Sequence, residues 1–313
     1  MDDRIYLFFG YSSEYVLNPL YTEMCKMGYR CVEIEMSSHK DIRSTVKSIK
    51  GQEIVLITSA HLFYDAHNFE KTFNYRHSEW THCLELIEFL NPIKKVYYPH
   101  DLTSPLTEWD VDYISLFDLF LSPLPYLDHF NRYLRTVEVG WIKKRSLSVN
   151  TGNKNQLTHL FSNINFFERM DFKDFYKYWA PLYDLGVGVK LPKWQSSNVL
   201  EQKLHSCGVR IVPSSSNIFE IIENSSVVVT NGTSSVNIEA ALCGKHVVNI
   251  WDGVSSLQEH RKSFNGLPQI KILPFLDAVS YIREIKNAQE ELDKFEDILK
   301  PFDFINAVAQ IVR

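Results

Sequence analysis

Residues 225–250 read SSVVVTNGTSSVNIEAALCGKHVVNI. An apolar run at 227–230 leads into a turn of small residues, Asn231, Gly232, Thr233, Ser234 and Ser235. A helical pattern follows over 236–242, Gly244 stops it, and residues 247–250 are apolar again. Strand, tight turn, helix, strand is the repeating unit of a parallel α/β sheet. Such a turn can hold an anion. The first amides of a helix lack intrahelical partners, its peptide dipoles leave partial positive charge there, and small side chains let a phosphate approach. Ser234 and Ser235 add hydroxyl donors. Glu239, one turn into the helix on the face that looks back at the loop, is placed to accept both hydroxyls of a ribose. The same residues also read as a plain helix cap through Thr233 or Ser234, and the loop alone leaves both readings standing. It is neither a P-loop nor a GxGxxG fingerprint.

Outward from this unit the alternation continues in both directions. Upstream, residues 4–9 (RIYLFF) end at Gly10, followed by Tyr11, Ser12 and Ser13 and a helical stretch over 14–27. Strand-like runs follow at 31–35, 54–58, 96–98 and 137–140, with a helix over 80–90 and a further element at 116–122. The polar, basic stretch 143–156 (KKRSLSVNTGNKNQ) reads as a linker. Beyond it, strand-like runs recur at 159–161, 187–191, 209–212, 227–230 and 247–250. A short helix is expected at 218–223 and one or two amphipathic helices over 277–312. The expected fold is α/β, two Rossmann-like domains facing a cleft, with C-terminal helices packed on the domains. Residues 1–142 form the first domain, 143–156 the linker and 157–313 the second.

The chain has 313 residues, more than one core usually organises. Its 45% hydrophobic and 23% charged composition is that of an ordinary globular protein. A net charge of −5 argues against a nucleic-acid partner, whose phosphates call for a basic excess. The five cysteines, Cys25, Cys31, Cys83, Cys207 and Cys243, show no CxxC pair or metal spacing and read as buried, reduced thiols. The start MDDRIYLFFG is acidic where a signal peptide is basic, and no run approaches a membrane span. A cytoplasmic protein is expected, any membrane contact being peripheral. The histidines form no HExxH pair and there is no nucleophile elbow, so no metal and no serine hydrolase chemistry is expected.

TNGTSSVNIEAALCGKHVVNI resembles the strand, Ser-Ser turn and Glu-Ala helix in the C-terminal domain of GT-B glycosyltransferases. Within that fold it most resembles the CDP-glycerol glycerophosphotransferase and capsular polysaccharide transferase group, with the UDP-N-acetylglucosamine 2-epimerases as relatives in fold. VYYPHDLTSPL, residues 96–106, is similar to that group's strand followed by His and Pro-Leu. FDLFLSP and VEVGWIK resemble strands that close its N-terminal domain. The chain departs from the pattern at Asn231, Gly232 and Thr233, at Asp101 where a Gly is usual, and at Thr107 where a Lys is usual.

The resemblance implies a nucleotide sugar as donor, a glycan or lipid-linked acceptor in surface polysaccharide synthesis, and neither metal nor other cofactor. It implies His100, just past a strand end, as the base toward the acceptor hydroxyl, with Asp101 as its orienter or the base itself. Asn231, Gly232, Thr233, Ser234, Ser235 and Glu239 would hold the donor. Ser162 and Asn163 would reach its phosphates, and Ser216 would lie against the base. A cap at Ser216 or Asn217 explains that last loop equally well. Gly10, Ser12 and His61, at strand ends of the first domain, are acceptor-side candidates. A polyol-phosphate transferase, a nucleotide-sugar 2-epimerase and a non-catalytic nucleotide-sugar-binding subunit remain as alternatives.

Overall fold

Parallel strands covered by helices on both faces have no solvent side, so they appear in sequence as unbroken apolar runs. The computed structural model describes residues 2–10, 16–34, 39–60, 79–100, 102, 115–124, 131–144, 156–161, 171–192, 198–232, 234–251, 267–288 and 295–313. The elements of the first half are β1 (Ile5–Phe9), α1 (Asn18–Lys26), β2 (Arg30–Ile34), α2 (His39–Ile49), β3 (Ile54–Thr58), α3 (Glu79–Leu90), β4 (Lys94–Tyr97), β5 (Leu119–Ser122) and β6 (Arg135–Glu138). Those of the second half are β7 (Gln156–Leu160), α4 (Phe172–Tyr183), β8 (Gly188–Lys190), α5 (Asn198–Ser206), α6 (Ile218–Asn224), β9 (Ser225–Asn231), α7 (Val236–Leu242), β10 (His246–Trp251), β11 (Ile270–Pro274) and α8 (Phe275–Ala288). A last helix, α9 (Phe304–Val312), closes the chain.

Among the described residues all strand pairs are parallel, in two sheets ordered β2-β1-β3-β4-β5-β6 and β11-β10-β9-β7-β8. Each is a Rossmann-like sheet: the chain steps to one side of its first strand, then crosses over and builds on the other. Every residue of β1 and β3 is buried, whereas the edge strands β2, β6 and β11 are mostly half-exposed; the edge strand β8 is short and buried throughout.

The first compact unit comprises Met1–Arg145 with Leu299–Arg313, and the second comprises Ser146–Ile298. This corrects the expected boundary, because residues 299–313 belong to the first domain and not the second. Asp303 caps α9 by accepting from the Asn306 amide at 3.0 Å, and the helix buries Ala307, Val308 and Ile311. At its other end the carbonyls that a helix leaves unpaired are met by cations of the first unit. Lys94 Nζ donates to Gln310 O at 2.6 Å and Ile311 O at 3.0 Å, and Arg4 Nη2 donates to Val312 O at 2.7 Å. The returning chain also forms a parallel bridge between Trp141 and Pro301, in which the Trp141 amide donates to Lys300 O at 2.8 Å. Lys144, expected in the linker, is buried in this junction and donates to Leu299 O at 2.6 Å. Residues 145–155 of that linker lie outside the described residues.

Two further expectations change. Residues 209–212 form no strand, only a single bridge from Ile211 to Val189, which is too little for a ladder. The cysteines are not uniformly buried: Cys83 and Cys243 are, Cys31 is half-buried, and Cys25 and Cys207 are exposed. Among the described residues, the second unit also has three elements that the sequence does not single out: β11, α5, and α4, whose Phe175, Trp179, Leu182 and Tyr183 form one buried face behind the Asp171 cap.

Gly140 makes the docking of the closing segment possible. It holds φ at +79°, and a Cβ there would collide with the carbonyls of Pro301 and Lys300, the latter at 2.8 Å. Gly140→Ala is therefore expected to lower stability by about 1–3 kcal/mol, and limited proteolysis should show the segment 299–313 released first. An unchanged melting temperature would contradict this close approach.

Candidate functional site

β9 lies between β10 and β7, and its chemistry begins where its apolar run ends. Val227, Val228 and Val229 are core, after which Thr230 and Asn231 bring polar atoms to the carboxyl end, both buried. Gly232 then turns the chain at φ +67°, a left-handed conformation that favours glycine. The turn is fastened from beneath. Asn249, on the neighbouring β10, shares the two hydrogens of its Nδ2 among Thr230 Oγ1 at 3.0 Å, Asn237 Oδ1 at 2.9 Å and Gly232 O at 2.8 Å. Asn237, in the first turn of α7, donates through its own Nδ2 to Ser234 O at 2.8 Å and Gly232 O at 3.3 Å. The Thr230 hydroxyl donates to Asn237 Oδ1. Two fully buried amides thus hold the carbonyls of Gly232 and Ser234 inward. A buried network whose members satisfy one another fixes one geometry, since any alternative leaves a desolvated polar group unpaired.

The plain-cap reading can be checked directly. Ser235 occupies the cap position of α7 with helical angles of −56° and −23° and makes no side-chain cap hydrogen bond. The Ser234 hydroxyl accepts from the Val236 amide at 3.4 Å, a long contact. That contact, a side-chain oxygen accepting from the amide two residues on, is the one a cap makes, so the cap reading stands for Ser234 while Ser235 makes no such bond. Both are half-buried, and Glu239 is buried behind them with 2% of its surface exposed. Thr233 lies outside the described residues.

On its other side β9 pairs with β7, the first strand of this sheet, while β8 lies on the far side of β7. The order of construction reverses between β7 and β9. In open α/β sheets, ligands bind beyond the carboxyl ends of the strands at this switch point. His159, near the end of β7, is fully buried among Phe161 and Trp179, with ring centroids 4.1 and 4.7 Å away. Its Nε2 lies 3.3 Å from Asn231 Oδ1, which assigns the proton to Nε2. Burial pushes its pKa down to about 3, the Asn231 hydrogen bond opposing this only in part. The imidazole is therefore a neutral donor that orients Asn231. At the end of β8, buried Lys190 donates to Ser214 O at 2.8 Å and pins the loop that leads into α6. Asn217 caps that helix by accepting from the Phe219 amide at 2.9 Å, so half-buried Ser216 is not its cap.

Within the second unit, then, the carboxyl ends of β8, β7 and β9 gather the Ser216 loop, His159 and the framed turn from Asn231 to Ser235. Ser162 and Asn163 lie outside the described residues. In the first unit, Gly10 is buried at the end of β1 and His100 is half-buried just past β4, while Asp101, Ser12 and His61 lie outside the described residues. Sequence reasoning passes over Asn237, Asn249, His159 and Lys190. Their signal is a lone polar residue inside an apolar run, which burial makes costly unless it is bonded.

A chain of two Rossmann-like domains, each a parallel sheet with helices, defines the class. No family model matches the chain, and no curated protein matches it in sequence. Solved structures share its fold. One, assigned as a UDP-N-acetylglucosamine 2-epimerase from Listeria monocytogenes, is 10% identical over 100% of this chain and 95% of its own, with a TM-score of 0.58. The spinosyn forosaminyltransferase SpnP is 9% identical over 100% of both chains, with a TM-score of 0.50. At such identities the likeness is one of fold, and the fold is α/β of GT-B type.

The network makes two predictions. Asn249→Ala leaves buried acceptors of the turn without their donor and should cost about 1–3 kcal/mol, read as a fall in denaturation midpoint; a neutral effect would show that the turn does not need the frame. The second concerns His159. The unfolded chain takes up a proton at this side chain below its ordinary pKa of 6.5, whereas the folded chain resists until about 3. Its contribution is thus complete above pH 6.5 and is lost as pH falls from there toward 3. His159→Phe should flatten the acid-side fall in melting temperature, and an unchanged slope would refute the assignment.

Proposed function

We propose that the chain is a nucleotide-sugar-dependent glycosyltransferase whose second unit binds the donor. The observation that carries this reading is the framed turn at the switch point of the second sheet. A nucleoside diphosphate sugar presents phosphate oxygens that need donors and ribose hydroxyls that need an acceptor. Ser234 and Ser235 are the proposed phosphate donors, together with Asn231, Gly232 and Thr233 in the same turn. Glu239 is the proposed ribose acceptor, and Ser162, Asn163 and Ser216 complete the donor set. In the first unit His100 is the proposed base for the acceptor hydroxyl, with Asp101 beside it in sequence and Gly10, Ser12 and His61 as acceptor-side groups. An imidazole is suited to proton transfer near neutrality. Fixed hydrogen-bond donors would stabilise the departing nucleoside diphosphate, in a scheme that needs no metal.

The resemblance of residues 96–106 and 230–250 to capsular polysaccharide and CDP-glycerol transferases supports a glycan or lipid-linked acceptor in surface polysaccharide synthesis, handled at the cytoplasmic side. No helix among the described residues is long and apolar enough to cross a membrane. A second reading, a nucleotide-sugar 2-epimerase, is favoured by the full-length likeness to the Listeria monocytogenes structure.

Titration of the folded chain with UDP, CDP and GDP, read by melting temperature, tests the donor site. A ligand that binds only the folded state adds about 2.7 kcal/mol at 100 times its Kd. One nucleotide should raise the melting temperature by several degrees, and Glu239→Gln should abolish most of the shift. No shift with any of the three would sink the transferase reading. Turnover of the sugar nucleotide without an acceptor would favour the epimerase.

A further inference from the structure

The first sheet reverses its order of construction between β1 and β3, as the second does between β7 and β9. The carboxyl ends of β1 and β3 therefore mark the first unit's own position for a ligand. Phe9 pairs with Thr58 at the last rung, so the next residues, Gly10 and Ser59, stand side by side at the switch point. On the other flank Thr58 pairs with Tyr97, and the chain past that rung leads to His100.

Ser59 is fully buried, and its hydroxyl has no hydrogen-bond partner among the described residues. The adjacent hydroxyl is the contrast. Thr58 is equally buried, and its Oγ1 donates to Phe9 O at 2.7 Å and accepts from the Ala60 amide at 3.0 Å. Those two bonds tie the end of β1 to that of β3 and hold the backbone on either side of Ser59. The other buried serine and threonine hydroxyls of the described residues are bonded too. Ser122, at the end of β5, donates to Leu124 O at 2.6 Å, and Thr230 donates to Asn237 Oδ1. Ser225 donates to Ile221 O at 2.7 Å and lies 3.4 Å from the Thr158 hydroxyl. Burying a hydroxyl without a partner is unfavourable, so one kept at a ligand-binding position calls for a bond from outside the fold. The chemistry of that ligand is restricted. Gly10 puts no side chain beside Ser59, and the described residues at these three strand ends, 9–10, 58–60 and 97–100, include no lysine or arginine. A phosphate would find no cation there, whereas a sugar hydroxyl matches a serine hydroxyl, each able to donate and to accept.

We infer that Ser59 is a specificity-determining residue of the acceptor site, its hydroxyl bonding a ring hydroxyl of the acceptor sugar. The inference rests on the transferase reading, in which the first unit presents the acceptor, and adds that the acceptor is an uncharged sugar at this contact. A sugar lacking that hydroxyl would leave Ser59 buried and unbonded, which is how a polar site rejects a deoxy analogue.

The test compares Ser59→Ala with Ser122→Ala in the full chain. Ser59→Ala should melt at or above the wild-type temperature, because no bond is lost, whereas Ser122→Ala should melt lower. Methyl glycosides of glucose, galactose, mannose and N-acetylglucosamine are then titrated into wild type and Ser59→Ala, with binding read by saturation-transfer NMR. At least one should bind wild type and bind Ser59→Ala about three- to tenfold more weakly, as the loss of one hydrogen bond predicts. One monodeoxy analogue of that glycoside should bind the two proteins alike. A lower melting temperature for Ser59→Ala would make the hydroxyl a structural one and overturn the proposal. Absence of glycoside binding to wild type, or equal binding of every glycoside by the two proteins, would do the same. The nucleotide titration separates the two failures. If UDP, CDP and GDP leave the wild-type melting temperature unchanged, the transferase reading fails; a nucleotide shift retained alongside undiminished glycoside binding in Ser59→Ala sinks the Ser59 assignment alone.

Discussion

A strand buried on both faces has to give up side-chain polarity along its length, and this constraint shapes the molecule. β1 and β3 in the first unit and the middle of β9 in the second are sheathed by helices, so their hydrogen bonding is spent on neighbouring strands. Polar chemistry is left to the strand ends, where the backbone escapes the ladder. The end of β9 follows that logic: three valines in succession, then Thr230, Asn231 and the glycine turn.

The amides beneath that turn are the next consequence. A loop of small residues has little side-chain mass with which to hold its own shape, and glycine adds backbone freedom. The shape is imposed from the next strand and the next helix, by Asn249 and Asn237, which are fully buried and bonded to each other as well as to the loop. His159 completes the frame from the opposite neighbour as a neutral donor to Asn231. The turn is therefore preorganised, so that little ordering entropy remains to be lost when a ligand arrives.

Much of this was legible in the sequence, for reasons that particular residues make plain. Residues 54–58 and 227–230 announce strands because a doubly covered strand leaves an unbroken apolar run. The edge strand β11 does not, since half of its short length faces outward. Residues 209–212 look like a strand, yet with only Val189 to pair against they form one bridge. The amphipathic pattern near the C-terminus shows that α9 must bury a face, but pattern carries no address. What decides its location is a set of contacts with Arg4, Lys94 and Trp141, each more than 150 positions away in the chain. The site divides in the same way. Small residues and a carboxylate around a turn are visible locally, whereas Asn249 and His159 acquire meaning only from neighbours brought in by the sheet.

The return of residues 299–313 to the first unit makes that unit discontinuous, with the whole of the second inserted into it. During synthesis the inserted unit has all of its strands on the growing chain before α9 exists. The first unit must meanwhile wait with the carbonyl-binding lysine, Lys94, and the Gly140 notch unfilled. The order in which the units begin and the order in which they are completed thus differ: the domain begun first is completed last.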